Sequence, residues 1–171
     1  MLKKVRIQIV TDRYEMQGSL WETPTGKMLP DFEAEPPKKS DIEHLEMTTE
    51  AVYHDDGARV CISYKESELS GMEGAKTSVS FQKNDPHFVS MLRDGSVKTA
   101  MIFQPGERHH SVYQTAIMPF DVCIFTRTVE NRIEADGTLQ MDYAVELRGA
   151  QTERTKFRMR VLPDFDKPLQ K

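Results

Sequence analysis

Four basic side chains, Arg154, Lys156, Arg158 and Arg160, recur at a period of two late in the sequence. In a strand that spacing puts all four on one face. Residues 148–160 together carry a net charge of +4. Such a stripe can bind an anion, and outer walls of small barrels sometimes take phosphates or single-stranded nucleic acid this way. Nucleic acid is disfavoured here, because the nearest aromatic, Phe157, has the opposite parity and cannot stack on bases from that face. Two other readings stand beside anion binding. One is a solvated face that discourages edge pairing. The other is docking of the acidic stretch 31–50, which holds seven acids against two lysines.

Other residues capable of chemistry are scattered. Ser70-Gly71-Met72-Glu73-Gly74 could form a nest of backbone N–H groups, or a tight turn. Only Ala75-Lys76-Thr77 follows it, so it is not a phosphate loop. His109 and His110 are adjacent, so a strand would point them to opposite faces and no metal site is expected from them. Glu66, Glu68 and Glu73 could serve acid/base chemistry, but solvated carboxylates on a strand face explain them equally well. Cys61 and Cys123 have no close spacing and no Gly-x-Ser-x-Gly occurs, so neither a zinc site nor a nucleophilic triad is indicated. No cofactor motif and no catalytic residue emerges, and an enzyme is the least favoured class.

The elements that must position these groups are strands. Leu139, Met141, Tyr143, Val145 and Leu147 alternate with polar residues and share one sheet face. The same alternation and the intervening turn signals predict about ten strands: 3–10, 44–54, 58–69, 75–83, 88–94, 97–104, 108–115, 118–129, 138–148 and 152–162. Asp55-Asp56-Gly57, Asp94-Gly95, Pro105-Gly106 and Asp136-Gly137 supply tight turns between them. Around Ser40-Asp41-Ile42-Glu43 a helix start competes with a strand, and the alternation of Leu45, Met47, Thr49, Ala51 and Tyr53 favours the strand. Short turns make consecutive strands antiparallel neighbours. An antiparallel meander of this length should curl into an all-β barrel of the calycin or lipocalin-like kind, with a β-sandwich as the alternative. The apolar parity places Ile62, Tyr64, Val79, Phe81, Met101, Phe103, Phe120, Val122, Tyr143 and Val145 inside. Of these, Tyr64, Phe81, Met101, Phe103, Phe120 and Tyr143 are the candidate ligand-binding residues.

The stretch from Tyr64 to Phe81 carries a resemblance. So do the turns Met91-Leu92-Arg93-Asp94-Gly95-Ser96-Val97 and Phe103-Gln104-Pro105-Gly106-Glu107-Arg108, followed by Tyr113-Gln114-Thr115 and Pro119-Phe120. Over about residues 42–162 the chain resembles the YwiB-like family of uncharacterised bacterial proteins. The resemblance implies a calycin-like barrel and transfers no reaction. Segment 21–41 departs from the family's shorter members, which bears on how the first strand pairs.

The 171 residues fit one domain, 1–171, with a Pro-rich acidic loop at 21–41. That loop contains Trp21, Met28, Leu29 and Phe32. Its only tryptophan is expected to be at least half buried, as a lid or a plug, with most of 30–40 exposed. The net charge is −4 and lies mostly in 31–50, leaving a near-neutral body with no general attraction to nucleic acid or membrane. Arg6, Gln8, Asp12 and Arg13 interrupt any signal-peptide core, and no apolar run is long enough to span a bilayer. A cytoplasmic location is expected. The favoured function is a binding module for a small apolar ligand in the barrel or at its mouth. A protein–protein or structural role through the outer surface is the alternative, and a homo-oligomer is left open.

Overall fold

Strand-forming alternation dominates the computed structural model. It describes residues 1–18, 20, 22–23, 26–27, 32–67, 74–147 and 151–168, with the side chains of 22–23, 26–27 and 164–168 outside that description. The strands are β1 (Leu2–Glu15), β2 (Glu22–Thr23), β3 (Gly26–Lys27), β4 (Glu43–Asp55), β5 (Arg59–Lys65), β6 (Lys76–Gln82), β7 (Asp85–Asp94), β8 (Thr99–Phe103), β9 (Arg108–Gln114), β10 (Pro119–Arg132), β11 (Thr138–Leu147) and β12 (Glu153–Pro168). A 3-10 turn spans Lys39–Asp41, and one short helix, α1, spans Ile133–Asp136. The strand reading of 44–54 holds, and the ambiguity before it resolves into that 3-10 turn. Among the described residues, no helix is long and apolar enough to cross a membrane.

Ten strands form one antiparallel sheet in the order β8-β7-β6-β5-β4-β1-β12-β11-β10-β9. Apart from β1, every neighbour in that order is also a neighbour in the chain, as short turns require. β1 pairs with both β4 and β12, which settles how the first strand joins. The sheet curls until its two ends meet. Lys98 and Gln114 exchange backbone hydrogen bonds of 2.9 and 2.8 Å between the β7–β8 connection and the end of β9. Ser111 Oγ donates to the Ala100 carbonyl across the same seam. The result is a nearly closed barrel, not a sandwich.

One end of the barrel is capped by apolar groups. Ile133 of α1 is buried there, and Gly137 ends the helix at a φ of 82° with its N–H bonded to the Ile133 carbonyl at 3.1 Å. A Cβ on Gly137 would also lie 3.1 Å from the Val161 carbonyl, so glycine suits both the turn and the packing. At the opposite end β1, β5, β7, β9 and β11 finish and β4, β6, β8, β10 and β12 begin; it is called the mouth below.

Between the two ends the interior is filled. Ile62, Tyr64, Val79, Phe81, Met101, Phe103, Val122 and Tyr143 are all buried in one core. The Phe103 and Tyr143 rings lie 4.5 Å apart across it, a normal aromatic contact. Two residues depart from the expected interior. Val145 is only partly buried, and Phe120 is 39% exposed. Phe120 keeps inward parity, opposite Tyr113 in register, but it lies at the start of β10, at the mouth, where the wall ends and closure no longer covers it.

A second, smaller core sits on the outside of the wall. Met16 and Leu20 pack with Cys123 and Ala144, flanked by Phe32 and Phe125. The segment after β1 is tied down to hold them there. Met16 N–H bonds the Thr152 carbonyl at 2.9 Å, Thr152 Oγ1 bonds the Gly18 carbonyl at 2.8 Å, and Leu20 N–H bonds the Glu146 carboxylate at 2.7 Å. Outward parity therefore does not mean exposure at Cys123, Ala144 or Glu146. The expected burial of Trp21 lies outside the described residues, as do Met28 and Leu29. Of the described part of 30–40, all but Phe32 and Pro37 are exposed.

Candidate functional site

Register assembles polar side chains on the inner wall near the mouth. Tyr64 of β5 stands opposite Thr77 of β6, Thr77 opposite Arg93 of β7, and Arg93 opposite Thr99 of β8. Directly opposed residues of an antiparallel pair share a face. The four therefore form one continuous row on the inner wall. Glu66, two positions beyond Tyr64, sits just past the end of β5 and is 6% exposed. Its carboxylate accepts from Thr77 Oγ1 at 2.6 Å and lies 3.7 Å from Arg93 Nε. On the facing wall a second row runs Arg13, Thr155, Tyr143 and Thr126.

Burial pushes the Tyr64 phenol far above its usual range, with the Glu66 charge adding to the effect and Arg93 opposing it. Burial likewise raises the Tyr143 phenol, against the charges of Arg93 and Arg13. Both tyrosines are neutral hydrogen-bonding groups at ordinary pH. Arg93 Nε and Thr99 Oγ1 are buried with no hydrogen-bond partner. Such orphans are rare in folded proteins and each costs about 1–3 kcal/mol. A void of about 50 Å3 lies among Tyr64, Glu66 and Arg93 on one side and Leu45, Met47 and Phe157 on the other. That is room for a water or two. Beside it, a groove of about 760 Å3 places Glu15, Glu35, Asp41, Glu43 and Glu153 around Arg13.

The candidate ligand residues divide along the barrel axis. Tyr64 and Met101 lie toward the mouth, Tyr143 packs against Phe103 in the core, Phe81 and Phe103 are buried at the ends of β6 and β8 away from the mouth, and Phe120 is at the rim instead of inside. Sequence reading missed Arg13, Arg93 and the burial of Glu66. A signal for them was present: each continues an inward parity, as Ile9-Thr11-Arg13, Val89-Met91-Arg93 and Ile62-Tyr64-Glu66. Glu66 is thus not a solvated strand-face carboxylate. Glu68 and most of the Ser70–Gly74 turn lie outside the described residues.

The basic stripe does not survive as four equivalent cations. Arg154 is 5% exposed and grips Asp142 through two bonds of 2.9 and 2.6 Å. It also donates to Tyr14 Oη and to the Phe32 carbonyl, both at 3.0 Å, and lies 5.1 Å from the centre of the Phe32 ring. Arg127 adds a 2.6 Å bond to Glu33. The loop therefore covers Arg154 at Phe32. Lys156, Arg158 and Arg160 remain exposed. They line shallow depressions shared with Asp12, Glu46, Glu130 and Asp142, so acids interleave with the bases.

Burial pushes the Cys123 thiol up to about 11, so it stays protonated. His109 Nε2 lies 3.0 Å from Gln104 Oε1 and its ring meets Phe88 edge-on, while His110 is on the other face of β9. Among the described residues, no three His, Cys, Asp or Glu side chains gather as metal ligands do.

The family described as Domain of unknown function (DUF1934) matches residues 33–159. The crystal structure of the ywiB protein from Bacillus subtilis is similar with a TM-score of 0.62 over 93% of each chain, at 15% sequence identity. That likeness speaks to the fold. No curated protein matches the sequence.

Proposed function

We propose that this chain, which belongs to the family described as Domain of unknown function (DUF1934), is a binding module that takes a small apolar ligand at the mouth of its barrel. The observation carrying the reading is the void among Tyr64, Glu66 and Arg93 under Leu45, Met47 and Phe157. It joins polar groups that can fix orientation to apolar side chains that can hold a hydrocarbon, and at about 50 Å3 it has to widen to admit one. The packed middle argues against a ligand deep in the barrel. The mouth is the favourable place, because Leu45 and Met47 are only partly buried and can move aside.

Titration of 15N-labelled protein with octan-1-ol tests this. Saturable shifts of the Leu45, Tyr64 and Thr99 amides are expected. Shifts confined to the outer wall, or none, would remove the reading. A second reading rests on the β9–β10 hairpin, where Ile117 is 92% and Met118 51% exposed. An apolar tip of that kind suits a protein partner, and concentration-dependent sedimentation that Ile117→Ser abolishes would support it.

A further inference from the structure

Arg127 is the extra residue of a bulge. The β10–β11 register pairs Thr126 with Tyr143 and Thr128 with Asp142, and skips Arg127 between them. A bulge re-aims the side chain it adds. This one brings Arg127 to 3.7 Å from Asp142, the carboxylate that Arg154 grips at 2.9 and 2.6 Å. Phe125, Ala144 and Arg154 are successive register partners and share the outer face. Wall residues alone therefore build a notch, in which one carboxylate fixes two arginines beside the ring of Phe125.

The chain's own Phe32-Glu33 sits in this notch as a peptide ligand would. The Phe32 ring lies 5.8 Å from that of Phe125, with the guanidinium carbons of Arg154 and Arg127 at 5.1 and 5.9 Å from its centre. The Phe32 carbonyl accepts from Arg154 at 3.0 Å, and the Glu33 carboxylate accepts from Arg127 at 2.6 Å. The contacts select an aromatic side chain, one backbone carbonyl and the acid that follows. We propose that the notch is a docking site for an acidic segment of another protein in which an aromatic residue precedes a carboxylate, and that Phe32-Glu33 is its tethered competitor.

The occupant is exchangeable. The Glu33 side chain is 82% exposed and that of Arg127 38%. An exposed ion pair contributes about 0–1 kcal/mol and an exposed cation–π contact about 0.5–1 kcal/mol. Asp142 also keeps both arginines in place once the pair has left. Charge sets the sign of the partner. Arg108, Arg127 and Arg154 lie around Phe125 against Asp142 and Glu146, an excess of one positive charge. The stretch from Asp31 to Pro36 answers it with three acids and no base.

A fluorescein-labelled peptide copying residues 31–36 serves as the probe, followed by fluorescence anisotropy on the full chain. The tethered pair competes at an effective concentration of about millimolar, so Phe32→Ala/Glu33→Ala should bind the peptide at least tenfold more tightly than the wild type. Adding Arg127→Ala to that variant should weaken binding several-fold. A peptide with alanine in place of its phenylalanine should not bind. No binding by a double variant whose circular dichroism matches the wild type would make the notch only an anchor for the loop and overturn the proposal. Binding indifferent to Arg127→Ala, or to loss of the peptide's phenylalanine, overturns it as well. If the double variant does not fold, Glu33→Ala decides, because that side chain is exposed: a several-fold gain over the wild type supports docking, and no gain overturns it. A wild type that dimerises in sedimentation, beside a Glu33→Ala variant that does not, would make the occupant a second copy and overturn the assignment to another protein.

Discussion

Arg93 and Thr99 stand opposite one another on β7 and β8, and each leaves a buried polar atom without a hydrogen bond. An unpaired hydroxyl in a buried place is a cost that the fold carries. Thr99→Val removes the hydroxyl and keeps the shape. The free protein should therefore be unchanged or more stable, by up to about 1 kcal/mol. Urea unfolding measures this. A loss of more than about 1 kcal/mol would mean that the hydroxyl is satisfied in solution.

Arg154 and Arg158 have the same parity on β12 but opposite surroundings. Arg154→Ala leaves Asp142 with Arg127 alone, at 3.7 Å, and should cost about 1–3 kcal/mol. It should also release Phe32, which shows as faster proteolysis between residues 33 and 41. Arg158→Ala alters an exposed side chain and should stay within about 0.5 kcal/mol. Equal effects of the two substitutions would refute the division of the stripe.

Tyr64 and Tyr143 predict how stability responds to alkali. Both phenols are raised by burial in the folded state. Below a pH of about 10 the phenols are protonated in folded and unfolded chains alike, and their contribution is fully present. Above that pH the unfolded chain ionises first, so stability falls as the pH rises toward the folded values. Circular dichroism should show unfolding together with the 295 nm absorbance of these two tyrosines. The double variant Tyr64→Phe/Tyr143→Phe should flatten the slope above pH 10. An unchanged slope would contradict their burial.

Gly95 lies at the mouth, where a Cβ would come within 2.8 Å of both Cα and Cβ of Ala75. Neither atom can swing away, so Gly95→Ala must separate the β7–β8 turn from the start of β6. A cost of about 1–3 kcal/mol is expected from thermal unfolding. A variant as stable as the parent would show that the two connections are not in contact.

Ten strands were legible because apolar parity and turn residues agree along most of the chain. The barrel was legible because so long a meander has to close. Parity names the face of a side chain, however, and not what lies against that face. Cys123, Ala144 and Glu146 look solvent-facing in sequence and are buried under Met16 and Leu20. Arg154 looks like one of four surface cations and is covered by Phe32. Nothing local to β10, β11 or β12 announces that a segment more than a hundred residues earlier will cross them. The mouth was hidden for a different reason. Arg13, Arg93 and Glu66 follow the inward parity, but charged residues are habitually assigned to water, and only the register across β5–β8 shows that their row is one wall.

The position of β1 bears on how the chain acquires this shape. Ile9 pairs with Met159, 150 positions later, and with Met47 on its other side. During synthesis β1 can join β4 early, but its second edge waits until residues 153–168 have been made. Until then the half-sheet presents an open row of backbone donors and acceptors, the kind of template on which chains associate wrongly. Contacts so distant in sequence also slow folding. β12 is therefore the strand that turns a sticky intermediate into a nearly closed barrel.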